Sequence, residues 1–171
     1  REPLWSRGLG DVYKRHNGNG KVDLKSEMTF GPAYYAASFD KKGKTQYLHP
    51  IAGAFLDGRK LITSAGGKKL TEAQRSTLRG YATTISANWE RVLAEATFKY
   101  AGSVYQDMAK LQAIVESKGD ATKQFRTYVK HWGELKGFAL ALQSGKTNLG
   151  ETATRLNRLI GAGPLLLNCL L

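Results

Sequence analysis

From Thr83 to Lys118 apolar side chains return every three or four residues: Ile85, Trp89, Val92, Leu93, Ala96, Tyr100, Val104, Met108, Leu111 and Val115. That interval matches the α-helical turn, so the segment is predicted to form one amphipathic helix with a single inward stripe. At 1.5 Å per residue it would be roughly 50 Å long. A second strong pattern, Phe125, Tyr128, Trp132, Leu135, Ala139 and Leu142, predicts a helix over 121–143. Gly119 ends the helix before it, Asp120 caps it, and Ser144-Gly145 stops it. Shorter helices are predicted over 32–39, with Pro32 in the first turn, and over 51–62, whose apolar side is Ile51, Phe55, Leu56 and Leu61. Another follows a Thr71 cap, with Gly80 as a bend, and a last one covers 149–160 with Leu156, Leu159 and Ile160 apolar and Gly161 past its end. No run of β-branched residues alternates with period two. The pattern predicts an all-α fold, an antiparallel helix bundle of four to six helices with an irregular N-terminal segment.

Length and composition narrow this picture. The chain has 171 residues, 42% of them hydrophobic and 23% charged, which suits one globular domain with a real core and excludes disorder. A single cysteine, Cys169, excludes an internal disulfide framework and a cysteine-built zinc site. No apolar run reaches the ~20 residues of a membrane span, and no signal-peptide pattern opens the chain. Residues 1–15 lack periodicity, and Ser6–Arg15 resembles translated transposase-adapter sequence. They are expected to be a non-native or disordered tail. The other end runs Leu165-Leu166-Leu167-Asn168-Cys169-Leu170-Leu171, an apolar stretch that a domain seldom leaves exposed. Residues 16–171 are therefore expected to be a single bundle domain truncated at both ends, a metagenomic fragment whose missing helices belong to a longer parent chain.

Three groups of residues carry candidate chemistry. The loop Arg15–Ser26 places Asn17, Asn19, Gly20, Val22 and Asp23 in the middle register of a calcium loop, but Arg15 and Ser26 stand at the two terminal ligand positions. Calcium through Asn17, Asn19 and Asp23 is one reading, and a plain Gly/Asn turn is the other. His131 and Glu134 lie three apart on a helix, neighbours on adjoining faces at the edge of its apolar side. They are a candidate pair of metal ligands for iron or zinc, with His49 and Asp57 as donors from another helix. A half-buried, hydrogen-bonded histidine beside a solvated glutamate is the alternative. Finally, Lys plus Arg outnumber Asp plus Glu by 26 to 14, a formal net charge of +12. Lys41, Lys42, Lys44, Lys68 and Lys69 are candidate polyanion contacts, although no nucleic-acid motif accompanies them. No nucleophile elbow, phosphate loop or paired carboxylates occur, so no catalytic residue is assigned.

The segments VDLKSEMTFGPAYYAASFD (22–40), HPIAGAFLDGRKLI (49–62) and above all YVKHWGELKGFALALQ (128–143) resemble the bacterial family called domain of unknown function 4856, a relative of imelysin. His131 and Glu134 match the imelysin G-x-H-x-x-E motif, and Val129 occupies the position of its glycine. The resemblance implies a helical cell-envelope protein, periplasmic or anchored to the outer membrane as a lipoprotein, linked to iron uptake and built from paired helical bundles. It implies a non-enzymatic binding module, with a metallopeptidase using His131 and Glu134 and a basic polyanion-binding module as alternatives.

Overall fold

The computed structural model describes residues 31–143 and 149–165. The adapter-like stretch, the calcium-like loop with Asn17, Asn19 and Asp23, and Cys169 lie outside them. The described residues form an all-α helical bundle of five helices with no strand: α1 (Gly31–Asp40), α2 (Leu48–Ser64), α3 (Glu72–Glu116), α4 (Thr122–Gln143) and α5 (Gly150–Ile160). The helix that follows Thr71 and the long helix predicted from Thr83 are one element, because Gly80 sits inside α3 without interrupting it. Contacts cluster into two compact units, one ending at Val92 and the other beginning at Leu93.

In the first unit the connections are set by short-range polar groups. Asp40, at the end of α1, turns its carboxylate onto the start of α2: it accepts from Thr45 Oγ1 (2.8 Å), from the Tyr47 N–H (2.9 Å) and from the Leu48 N–H (2.7 Å). Tyr47 cannot cap α2 with its own side chain, so Asp40 satisfies the free donors of that terminus. Thr71 and Gln74 form a capping box at α3, in which Thr71 Oγ1 accepts from the Gln74 N–H (3.2 Å) and Gln74 Oε1 accepts from the Thr71 N–H (2.9 Å). The core here is Ala36 and Phe39 of α1 with Ile51 and Ala54 of α2. Gly58 is buried, and a methyl group in its place would stand 3.6 Å from Leu78 and Tyr81, so α2 comes close to α3 at this residue. Of the predicted stripe Ile51 is buried and Leu61 half-buried, and the inward face continues through the small Ala54 and Gly58 in place of Phe55 and Leu56. Phe55 and Leu56 are each 57% exposed, because the small side chains set the approach between the helices.

The second unit packs Ala96, Tyr100 and Leu111 of α3, Tyr128, Leu135, Ala139 and Leu142 of α4, and Ala153 of α5. The predicted stripe of α4 holds, while on α5 the small Ala153 faces inward and Leu159 faces solvent. Helix α3 ends in a Schellman turn: the Gly119 N–H reaches Ile114 O (2.9 Å) and the Lys118 N–H reaches Val115 O (2.9 Å). The left-handed residue of that turn is Lys118 (φ 56°), and Gly119 follows it where a Cβ would come within 3.2 Å of Ile114. Three successive turns of α4 then grip the segment after α5. Trp132 Nε1 donates to Ile160 O (3.1 Å), Lys136 Nζ donates to Gly161 O (2.9 Å), and the Leu165 N–H donates to the Tyr128 hydroxyl (2.8 Å). The spacing of four puts these side chains in one row.

Asp40→Ala strips two free N–H groups at α2 and one hydroxyl of their acceptor. It should lower stability by about 1–3 kcal/mol, read as a fall in the thermal midpoint, while Asp40→Asn should recover part of the loss. At α4, Asp120 Oδ1 accepts from the Thr122 N–H (2.9 Å), and bonding to Thr122 holds the Asp120 carboxyl below its ordinary value of 3.8. A lowered carboxyl stabilises the fold above its unfolded value and loses that contribution as pH falls through its folded value. Thermal unfolding should therefore separate Asp120→Ala from the wild type at pH 7 and bring the two together at the acid end.

Candidate functional site

One carboxylate lies inside the second unit. Asp107 falls within the predicted apolar stripe of α3, seven residues after Tyr100, and only 3% of its surface is exposed. A buried carboxylate needs polar partners, and α4 supplies two from one face. Gln124 Nε2 donates to Asp107 Oδ1 (2.9 Å), and His131 Nδ1 lies 2.6 Å from Asp107 Oδ2. Both carboxylate oxygens are thus engaged by groups seven residues apart, two turns of one helix.

The imidazole of His131 is held from several directions. Asp107 fixes Nδ1, and the Tyr100 ring lies beside it with centroids 5.9 Å apart. Tyr100 is itself stacked on Phe138 of α4, with centroids 5.7 Å apart and planes 10° from parallel. The His131 side chain remains 27% exposed, and no described residue hydrogen-bonds Nε2. A carboxylate on Nδ1 sets the ring orientation and leaves Nε2 as the nitrogen that faces a ligand. Chemically, this is an oriented imidazole with one working edge.

The residues predicted from sequence fall in both units. Glu134 sits half-buried on the next turn of α4 and forms no hydrogen bond or ion pair with a described residue. His49 and Asp57 belong to α2 in the first unit, where Asp57 pairs with Lys60 at 3.2 Å. Among the described residues no three of His, Cys, Asp and Glu converge as metal ligands. A zinc site takes three or four protein donors, and His131 and Glu134 supply two. The partner that sequence reasoning missed is Asp107. Its signal was present as an acid at a core position of α3, but naming its partner required the pairing of two helices.

The polyanion candidates divide into two groups. Lys41, Lys42 and Lys44 lie in the connection before α2, and Lys68 and Lys69 in the connection after it. The 17-residue α2 separates the groups by about 25 Å of helix. All five are exposed and make no ion pair with a described residue, whereas Arg75 and Arg79 are paired with Glu72. No protein-family model matches the chain, and neither a curated protein nor a solved structure shows significant similarity to it.

Asp107→Ala should cost about 2–4 kcal/mol, because it removes the acceptor of two side chains and leaves them facing a hole. At a few degrees per kcal/mol this is a fall of roughly 5–10 °C in the thermal midpoint. His131→Ala should cost less, and the double variant should fall short of the sum of the two by more than 0.5 kcal/mol. Glu134→Ala should stay within about 0.5 kcal/mol of the wild type.

Proposed function

We propose that this chain is a non-enzymatic, imelysin-like binding module of the bacterial cell envelope, with His131 as its recognition point. The observation that carries the reading is the 2.6 Å contact between Asp107 and His131, which orients a partly exposed imidazole without any nucleophile bonded to it among the described residues. The segments 22–40, 49–62 and 128–143, with His131 and Glu134 at the motif positions, support the family and with it a periplasmic or lipoprotein location and a link to iron uptake. Among the described residues no helix is long and apolar enough to cross a membrane. Because the described donors do not complete a metal centre, iron enters this reading as complexed cargo whose outer groups meet Nε2, not as a resident ion. The metallopeptidase alternative asks for a third donor that the described residues do not provide.

A second reading has its own observation. The five lysines flanking α2 are exposed and unpaired with described acids on a chain of net charge +12, which suits polyanion binding. Retention on immobilised heparin that falls steeply with salt, and weakens when Lys68 and Lys69 are changed to Glu, would favour it.

Nuclear magnetic resonance of the full chain titrated with gallium citrate, a diamagnetic stand-in for the ferric complex, tests the first reading. The His131 ring signals should shift saturably, citrate alone should leave them in place, and Asp107→Asn should weaken the response. Unmoved His131 signals would reject the iron link. Calorimetry with zinc or ferrous ion should show no tight one-to-one site, and peptide hydrolysis should be absent. A tight site lost in both His131→Ala and Glu134→Ala would put a resident metal in place of this proposal.

A further inference from the structure

Helix α3 has a second apolar face. Ala94, Phe98, Ala101, Tyr105 and Met108 follow one another at intervals of four, three, four and three. On a helix this places them together, roughly opposite the buried Ala96, Tyr100, Asp107 and Leu111. Phe98 is 81% exposed and Tyr105 76% exposed, and Gly102 and Ala109 add small exposed positions beside them. Alternating intervals of four and three make the seam of a two-stranded coiled coil, where each large side chain enters a hole on the facing helix. Two aromatic rings in water on one face are a surface that association would bury.

We infer that this face docks on the same face of a second copy of the chain, with the two α3 helices antiparallel and the two-fold axis near Ser103. Size decides the direction. A parallel, in-register pair sets Phe98 against Phe98 and Tyr105 against Tyr105, with alanine facing alanine between them, which crowds some layers and leaves voids in others. The antiparallel pair places Phe98 against Met108 of the second copy, Tyr105 against Ala101, and Ala94 against Gln112. Every layer then joins a large side chain to a small or flexible one, and methionine adapts well to an aromatic neighbour. The arrangement is self-complementary, as a two-fold interface requires. The area is sufficient for a modest dimer: an aromatic side chain offers 150–250 Å², so four largely exposed rings with the small residues between them bury about 1,000 Å² in total. That lies at the lower bound of specific interfaces, where weak and reversible pairs are found.

Size-exclusion chromatography with light scattering on the full chain, from about 1 to 200 µM, reads this directly. The mass should rise from one copy to two across that range. Phe98→Glu and Tyr105→Glu should each weaken dimerisation at least tenfold while keeping the helical circular dichroism of the wild type. Leu159→Glu, an equally exposed apolar position on α5, should leave it unchanged. Orientation is tested with Cys169→Ser chains: Ala94→Cys mixed with Gln112→Cys should join to each other through a short bis-maleimide. A chain that stays single up to 200 µM would overturn the inference. So would a dimer indifferent to Phe98→Glu, one lost equally in Leu159→Glu, or cross-linking of each cysteine variant only with itself.

Discussion

The second unit is organised by the need to satisfy one buried carboxylate. Asp107 is almost fully removed from solvent, and an unpartnered carboxylate there would cost more than most single interactions return. Gln124 and His131 engage its two oxygens, and together they set the rotation of α4 about its axis as well as its height along α3. Apolar contact alone, as at Leu135, Ala139 and Leu142, is non-directional and sets a register only loosely. A pair of directional bonds two turns apart sets it closely. The polar pair thus specifies what the hydrophobic residues stabilise, and the same geometry fixes the orientation of the partly exposed His131 imidazole.

A second polar device completes the unit at its C-terminal side. Tyr128, Trp132 and Lys136 present a hydroxyl, an indole N–H and an ammonium in one row, and they bond the backbone of residues 160–165 where helical hydrogen bonding has stopped. This explains why Trp132 stays half-buried: its ring packs while its Nε1 reaches a carbonyl. Carbonyls past a helix end need partners, and here side chains of the preceding helix provide them. In the first unit Asp40 and the Thr71–Gln74 box do comparable work at helix starts, over only a few residues of chain.

Helix α3 carries unlike demands on its two sides. Its inner side mixes Ala96, Tyr100 and Leu111 with Asp107, while its outer side exposes Phe98 and Tyr105. A helix with polar groups inside and aromatic rings outside has little contrast between its faces. The inner stripe was nevertheless readable, because apolar residues such as Val92, Ala96, Tyr100 and Leu111 recur at helical spacing, while Met108, counted with them, stands at the border of the outer face.

Local chemistry was legible from the chain alone. Periodicity located α1, α2, α4 and α5 to within a few residues but divided α3 near Gly80, while Thr71 and Asp120 were readable as caps and Gly161 as a stop, because each depends on partners within a turn. His131 was readable as a histidine at the edge of an apolar face. The face of α2 was not, since helix approach through Gly58 outweighed the hydrophobicity of Phe55 and Leu56. Nor was the spread of the lysines, which sequence counted together and α2 holds apart at its two ends. The Asp107–His131 pair spans 24 residues and two helices. Each member stands out on its own helix, but only the packing of α4 against α3 brings the buried Asp107 to the partly exposed His131, because burial and long-range pairing are properties of the folded chain and not of any segment of it.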